Sequence, residues 1–190
     1  MIDFKKIFKI ILFGIIIGLA LYFLLNKTNI LNFNKNTKVT QQVATQLYSS
    51  NEKLKEVIIF YGDSQSDKLK SFPAKIYETP NVINQIKQIL LLLFDKPPKD
   101  YIKVIPEGTS IREVYIDSNS ILYIDLSEEF IVNNRGGTTF EYLSVYSILK
   151  SIFSNFNNIR GIRLLVNGVE QETIAGHLNI SEIFRPQDIN

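Results

Sequence analysis

Asp125, Glu128 and Glu129 form the densest acidic cluster of the chain. Paired carboxylates can cleave a glycosidic bond, one protonating the leaving oxygen while the other attacks or activates water. That work needs a carboxyl with a raised pKa in a pocket. The local pattern argues for a turn instead: Asp125 alternates with the apolar Ile124 and Leu126, and Ser127-Glu128-Glu129 is a polar step before Phe130. His177, between Gly176 and Leu178, is the sole histidine, so histidine-assisted catalysis rests on one residue. Ser144 and Ser147 are the nucleophiles it would serve, but both fall inside a helical pattern without the strained elbow of a serine hydrolase. A structural histidine is the expected role. Gly136-Gly137 after Arg135 opens that same helix, where free N–H groups and the helix dipole favour an anion. It has neither the lysine nor the spacing of a nucleotide loop, and reads as a flexible turn. No catalytic, metal or cofactor-binding residue is assigned, and no cofactor is expected.

Composition narrows the chemistry further. Zero cysteine excludes disulfides, thiolate metal sites, a cysteine nucleophile and N-terminal lipidation on cysteine. One histidine excludes His-rich zinc sites. The net charge of +2 is unevenly placed: four of 21 basic and one of 19 acidic residues lie in residues 1–27. That leaves 17 against 18, a charge of −1 beyond them, with no basic stripe of the kind nucleic acid requires.

The elements around these residues begin with an apolar run. Lys5, Lys6 and Lys9 precede Ile10 to Leu25, sixteen uncharged residues, and Asn26-Lys27 follows. Counting Ile7 and Phe8, the stretch is roughly 28 Å long at ~1.5 Å per residue, matching a hydrocarbon core of roughly 30 Å. It exceeds a signal-peptide core of ~7–15 residues and has no small-x-small cleavage site, so an uncleaved anchor is expected. The lysine asymmetry places the N-terminus in the cytoplasm and the rest outside the cytoplasmic membrane. Residues 28–54 read as a polar linker, 55–184 as one domain and 185–190 as a tail.

Within the domain, Val57–Tyr61 is a strand and Phe72–Tyr77 a short edge strand, because Pro73 disqualifies it from a sheet centre. Thr79-Pro80 reads as the N-cap and first position of a helix carrying Val82, Ile86, Ile89, Leu90 and Leu93, stopped at Asp95-Lys-Pro-Pro98. Ile111–Ile116 and Ile121–Leu126 form a hairpin through Asp117–Ser120. Thr138 and Glu141 have capping-box spacing. Tyr142, Val145, Tyr146, Leu149, Ile152, Phe153 and Phe156 follow as one stripe. Ile162–Val166 is a strand ending in Asn167-Gly168, a hairpin dipeptide that leaves room for Val169–Ala175 to fold back as a last strand. The fold class is α+β: after the transmembrane helix, a two-layer sandwich of one small mixed sheet with two helices on one face.

In this order, several stretches resemble the GerMN domain of sporulation and spore-germination proteins. They are Val57-Ile-Ile-Phe-Tyr-Gly62, Ile105-Pro-Glu-Gly-Thr109, Tyr123–Phe130, Gly136-Gly-Thr-Thr-Phe-Glu141, Ile162–Gly168 and Gly176-His-Leu-Asn-Ile180. The resemblance covers about Val57 to Phe184. It implies an extracytoplasmic, membrane-tethered module without established catalysis, of a fold similar to the ring-building domains of envelope assemblies. Family members are often lipoproteins and the founding type carries two copies; this chain has no cysteine and room for one. The expected function is a non-catalytic, membrane-anchored binding or scaffold module, with other envelope proteins or a second copy as partner. The alternative is a wall-glycan binder or hydrolase built on Asp125, Glu128 and Glu129.

Overall fold

The computed structural model describes residues 53–189. The expected transmembrane helix and nearly all of the linker lie outside the described residues. Among those described, no helix is long and apolar enough to cross a membrane.

The chain forms β1 (Leu54–Asp63), β2 (Leu69–Tyr77), α1 (Val82–Phe94), β3 (Tyr101–Ile102), β4 (Ile111–Ile116) and β5 (Ile121–Leu126). It continues with α2 (Glu129–Val132), α3 (Thr138–Phe153), β6 (Gly161–Val166) and a final 3-10 turn, Pro186–Ile189. The α+β class holds, but the strands make two three-stranded sheets, ordered β2-β1-β3 and β4-β5-β6, where one mixed sheet was expected. The first is antiparallel; the second joins the β4–β5 hairpin to a parallel β5–β6 pair. Parallel pairing demands a long crossover, which α2 and α3 provide.

The division into two sheets has a local cause. β1 pairs with β2 along Leu54–Gly62, yet meets β3 only at Gly62 and Asp63. At Ile58 and Phe60 the edge of β1 is taken by side chains of α3 and by Asn155 just beyond it, so no strand of the second sheet pairs there. α1 packs against β1 and β2 and also against β4, spanning both sheets. One core joins them, with Ile59, Ile86, Leu90, Leu122, Ile124, Ile148 and Leu164 each 0–1% exposed.

Local expectations hold where short-range chemistry decides. β2 is an edge strand, and Pro73 sits opposite Ile58 where the backbone points away from β1, so its missing N–H costs no ladder bond. The Asp117–Ser120 turn closes the β4–β5 hairpin, with Asp117 Oδ1 accepting the N–H groups of Asn119 and Ile121. Asn167 (φ 53°) and Gly168 (φ 77°) both adopt the left-handed conformation that a type I′ turn requires.

Four expectations are corrected. α1 starts two residues later than Thr79-Pro80 implied: Asn81 is its N-cap, accepting the Ile83 N–H, and the Thr79 hydroxyl donates to the Asn81 carbonyl. The Thr138–Glu141 capping box does not form. Gly137 is the N-cap of α3 and Glu141 turns to the C-terminal segment. The α3 stripe also loses its first residue, Tyr142, which is 41% exposed, while Leu143, Ile148 and three serines are buried. A helix packed on several sides does not confine burial to one stripe. Finally, Val169–Ala175 forms no strand, only isolated bridges at Val166–Val169 and Thr173–Asn179. Phe184 occupies the outer edge of β6 at Ile162, and Ile174 turns into the core.

Candidate functional site

The three carboxylates of the acidic cluster are each engaged by a different group. Asp125, 7% exposed, accepts from Arg112 Nε at 3.1 Å and from the Gly168 N–H at 2.8 Å, pinning the turn after β6. Glu128 is exposed and reaches Asn167 Nδ2 at 3.5 Å. The Ser127 hydroxyl and its own N–H hold the Glu129 carboxyl below its usual range, opposite to the shift a general acid needs. Among the described residues, no group of three or more His, Asp or Glu side chains is placed to hold a metal ion.

His177 and the candidate serines are likewise occupied, and with different partners. Nδ1 of His177 lies 2.7 Å from Oε1 of Glu141, and Oε2 of the same carboxylate accepts the N–H groups of His177 (3.2 Å) and Leu178 (3.0 Å). Glu141 is fully buried. Burial pushes its carboxyl up, but the Leu178 N–H, the His177 ring and the His177 N–H outweigh it and leave the carboxyl below its usual value. Glu141 thereby fastens residues 177–178 to the first turn of α3. Ser144 and Ser147, both 0% exposed, are inaccessible as nucleophiles. The Ser144 hydroxyl lies 2.8 Å from the Val104 carbonyl, and that of Ser147 donates to the Phe60 carbonyl.

These serines belong to a row of small polar side chains on α3 that no catalytic pattern marks. Ser144, Ser147, Ser151 and Asn155 recur at helical spacing along one side of α3 and its C-terminal extension. Ser151 Oγ accepts the Phe60 N–H at 2.9 Å, while Asn155 accepts the Ile58 N–H at 3.0 Å and donates to the Ile58 carbonyl at 2.6 Å. Ser147, Ser151 and Asn155 thus supply at Phe60 and Ile58 the hydrogen bonds that a neighbouring strand would give β1. Gln88 does the same on β2, bonding both the N–H and C=O of Tyr77. Small polar residues at helical spacing beside an apolar stripe were the available signal.

Gly136-Gly137 makes no anion cradle. The Gly136 N–H is bonded to Asn134 Oδ1, and the Arg135 guanidinium stacks 4.8 Å above the Phe140 ring. Lys103, Glu107, Asn133, Arg135 and Phe140 line a recess of about 70 Å³, well short of the ~300–1,000 Å³ typical of ligand sites. Lys103 is already paired with Glu107 at 3.1 Å.

Among curated proteins no sequence matches the chain. Solved structures do. The tandem GerMN domains of the sporulation protein GerM from Bacillus subtilis superpose with a TM-score of 0.59 at 19% identity, covering 72% of this chain. This chain spans about half, 48%, of that tandem structure. The first GerMN domain of the same protein gives a TM-score of 0.59 at 20% identity, over 70% of this chain and 99% of the domain. The family described as Germane, sporulation and spore germination, matches residues 58–172, more than half of the sequence. The protein therefore belongs to the Germane family and carries a GerMN-type domain.

Proposed function

We propose that this protein is a non-catalytic binding module of the cell envelope, held to the cytoplasmic membrane by residues 7–25 with its GerMN-type domain outside. The observation that carries the reading is the fate of the candidate chemistry. Asp125, Glu141, Ser144 and Ser147 are buried and bonded within the domain, while Leu54 and Ile58 stand 59% and 46% exposed on the first sheet. Buried, satisfied polar groups stabilise a fold, whereas exposed apolar side chains of a strand favour association. The lysine asymmetry around the apolar run supports the topology. The burial and bonding of Asp125 and the lowered Glu129 carboxyl give no support to the hydrolase alternative.

The test uses the full chain in native membranes. It is expected to sediment with membranes, to resist carbonate extraction and to lose its domain to protease added outside. Cross-linked partners are expected to persist in Glu128→Gln, Glu129→Gln and His177→Asn variants. A soluble form shortened by about 25 residues would replace the anchor with a signal peptide. A carboxylate variant that folds but loses a wall-cleaving activity would install the hydrolase.

A further inference from the structure

The exposed end of β1 carries more than apolar side chains. Along the edge facing away from β2, the backbone groups of Leu54, Glu56, Ile58, Phe60 and Gly62 point outward in succession. Gly62 pairs with β3, Phe60 is bonded by Ser147 and Ser151, and Ile58 by Asn155. There the series of α3 side chains stops. Among the described residues, the outward N–H and C=O groups of Leu54 and Glu56 have no partner. An unpaired strand edge is a template for another strand. Asn155 shows the geometry such a strand would adopt, since its carboxamide makes at Ile58 the two bonds that one residue of a neighbouring strand makes.

We propose that the Leu54–Ile58 edge of β1 accepts an extended strand from a partner protein, with a basic residue opposite Glu56 and apolar residues beside Leu54 and Ile58. The proposal rests on the binding role above and names the surface that performs it. Charge selects the occupant. The two-fold register that pairs Leu54 and Glu56 of one copy with those of a second opposes Lys55 to Lys55, and the next one opposes Glu56 to Glu56 and sets Leu54 against the already bonded Ile58; like charges directly opposite are destabilising. A strand with lysine or arginine at that position meets Glu56 with opposite charge, and its backbone supplies the missing bonds. The other candidate edge, β2, is guarded: Pro73 has no N–H to offer, Gln88 caps Tyr77, and the Tyr101 hydroxyl bonds the Ser71 carbonyl.

The experiment reads amide hydrogen exchange by NMR on the full chain in detergent micelles. The probes are three synthetic peptides: alternating valine and lysine, alternating valine and glutamate, and the valine–lysine peptide N-methylated on its bonding edge. The valine–lysine peptide is expected to slow exchange at Leu54 and Glu56 several-fold, and the N-methylated one to leave it unchanged. Glu56→Lys is expected to transfer the preference to the valine–glutamate peptide, and Glu56→Gln to abolish it; Glu56 is exposed, so both variants keep the fold. The proposal is overturned if no peptide slows these amides, if N-methylation makes no difference, or if protection grows with protein concentration alone, which would make a second copy the occupant. If the peptides fail while the cross-linked partners persist, the edge is wrong and the binding role stands. If both fail, the role falls with it.

Discussion

Removing the Glu141 carboxylate tests the most consequential long-range contact in the domain. The carboxylate receives two backbone N–H groups and the His177 ring from the C-terminal segment, 36 and 37 residues away. Hydrogen bonds to a charged group contribute about 1.5–3 kcal/mol each when both partners are shielded. His177 is exposed, so part of its side's contribution is returned to water on release. Glu141→Ala is therefore expected to cost roughly 2–4 kcal/mol and Glu141→Gln about half of that, since the amide keeps one acceptor. The 53–190 fragment contains the core formed by the described residues and is expected to fold without the preceding segment, so urea unfolding of that fragment measures the loss. A pH series adds an independent signature. Because the folded carboxyl is held below its usual value, its contribution is fully present above the unfolded value of about 4.3 and is lost as pH falls through the folded value. The parent should lose stability over that window, and Glu141→Gln should lack this component. Amide exchange gives the location: His177 and Leu178 should exchange faster in Glu141→Ala. If instead those amides are unchanged and only the first turn of α3 frays, the carboxylate acts as a capping group and the geometry described here is wrong.

Two further outcomes follow from the packing of α3. Leu149 is 0% exposed, so Leu149→Asp should unfold the 53–190 fragment by circular dichroism, whereas Tyr142→Asp, at a 41% exposed site where only the stacking on Tyr146 is lost, should cost about 0.5–1.5 kcal/mol and leave it folded. Equal effects would mean that the apolar stripe read from the sequence describes the helix better than its observed packing. Ser151→Ala removes the acceptor of the Phe60 N–H and should cost about 1–3 kcal/mol in urea unfolding; a variant as stable as the parent would show that water replaces the hydroxyl at the β1 edge.

Much of this protein was legible along the chain because the deciding interactions are short-ranged. The strand β5, the spacing of Ile86, Ile89, Leu90 and Leu93, the Asp117 turn and the Asn167-Gly168 turn each depend on neighbours a few residues away. So does the dismissal of Ser144 as a nucleophile, which follows from its place in a regular helix. Even Pro73 on an edge strand needs only the knowledge that proline has no N–H to donate. The expected alternation of Asp125 with Ile124 and Leu126, by contrast, fails because β5 is the central strand and all three are buried.

Tertiary structure decided what pairs across long separations. Thr138 and Glu141 satisfy the capping pattern, yet a buried carboxylate gains more from two backbone N–H groups and an imidazole brought in from residues 177–178 than from one helix-end amide. Ser147, Ser151 and Asn155 have partners 87 to 97 residues away, so nothing local marks them as the closure of β1. That closure in turn splits the strands into two sheets and leaves Leu54 and Glu56 at an open edge. Periodicity records which way a side chain faces but not which element will stand opposite it, because that choice is made by the packing of the whole core.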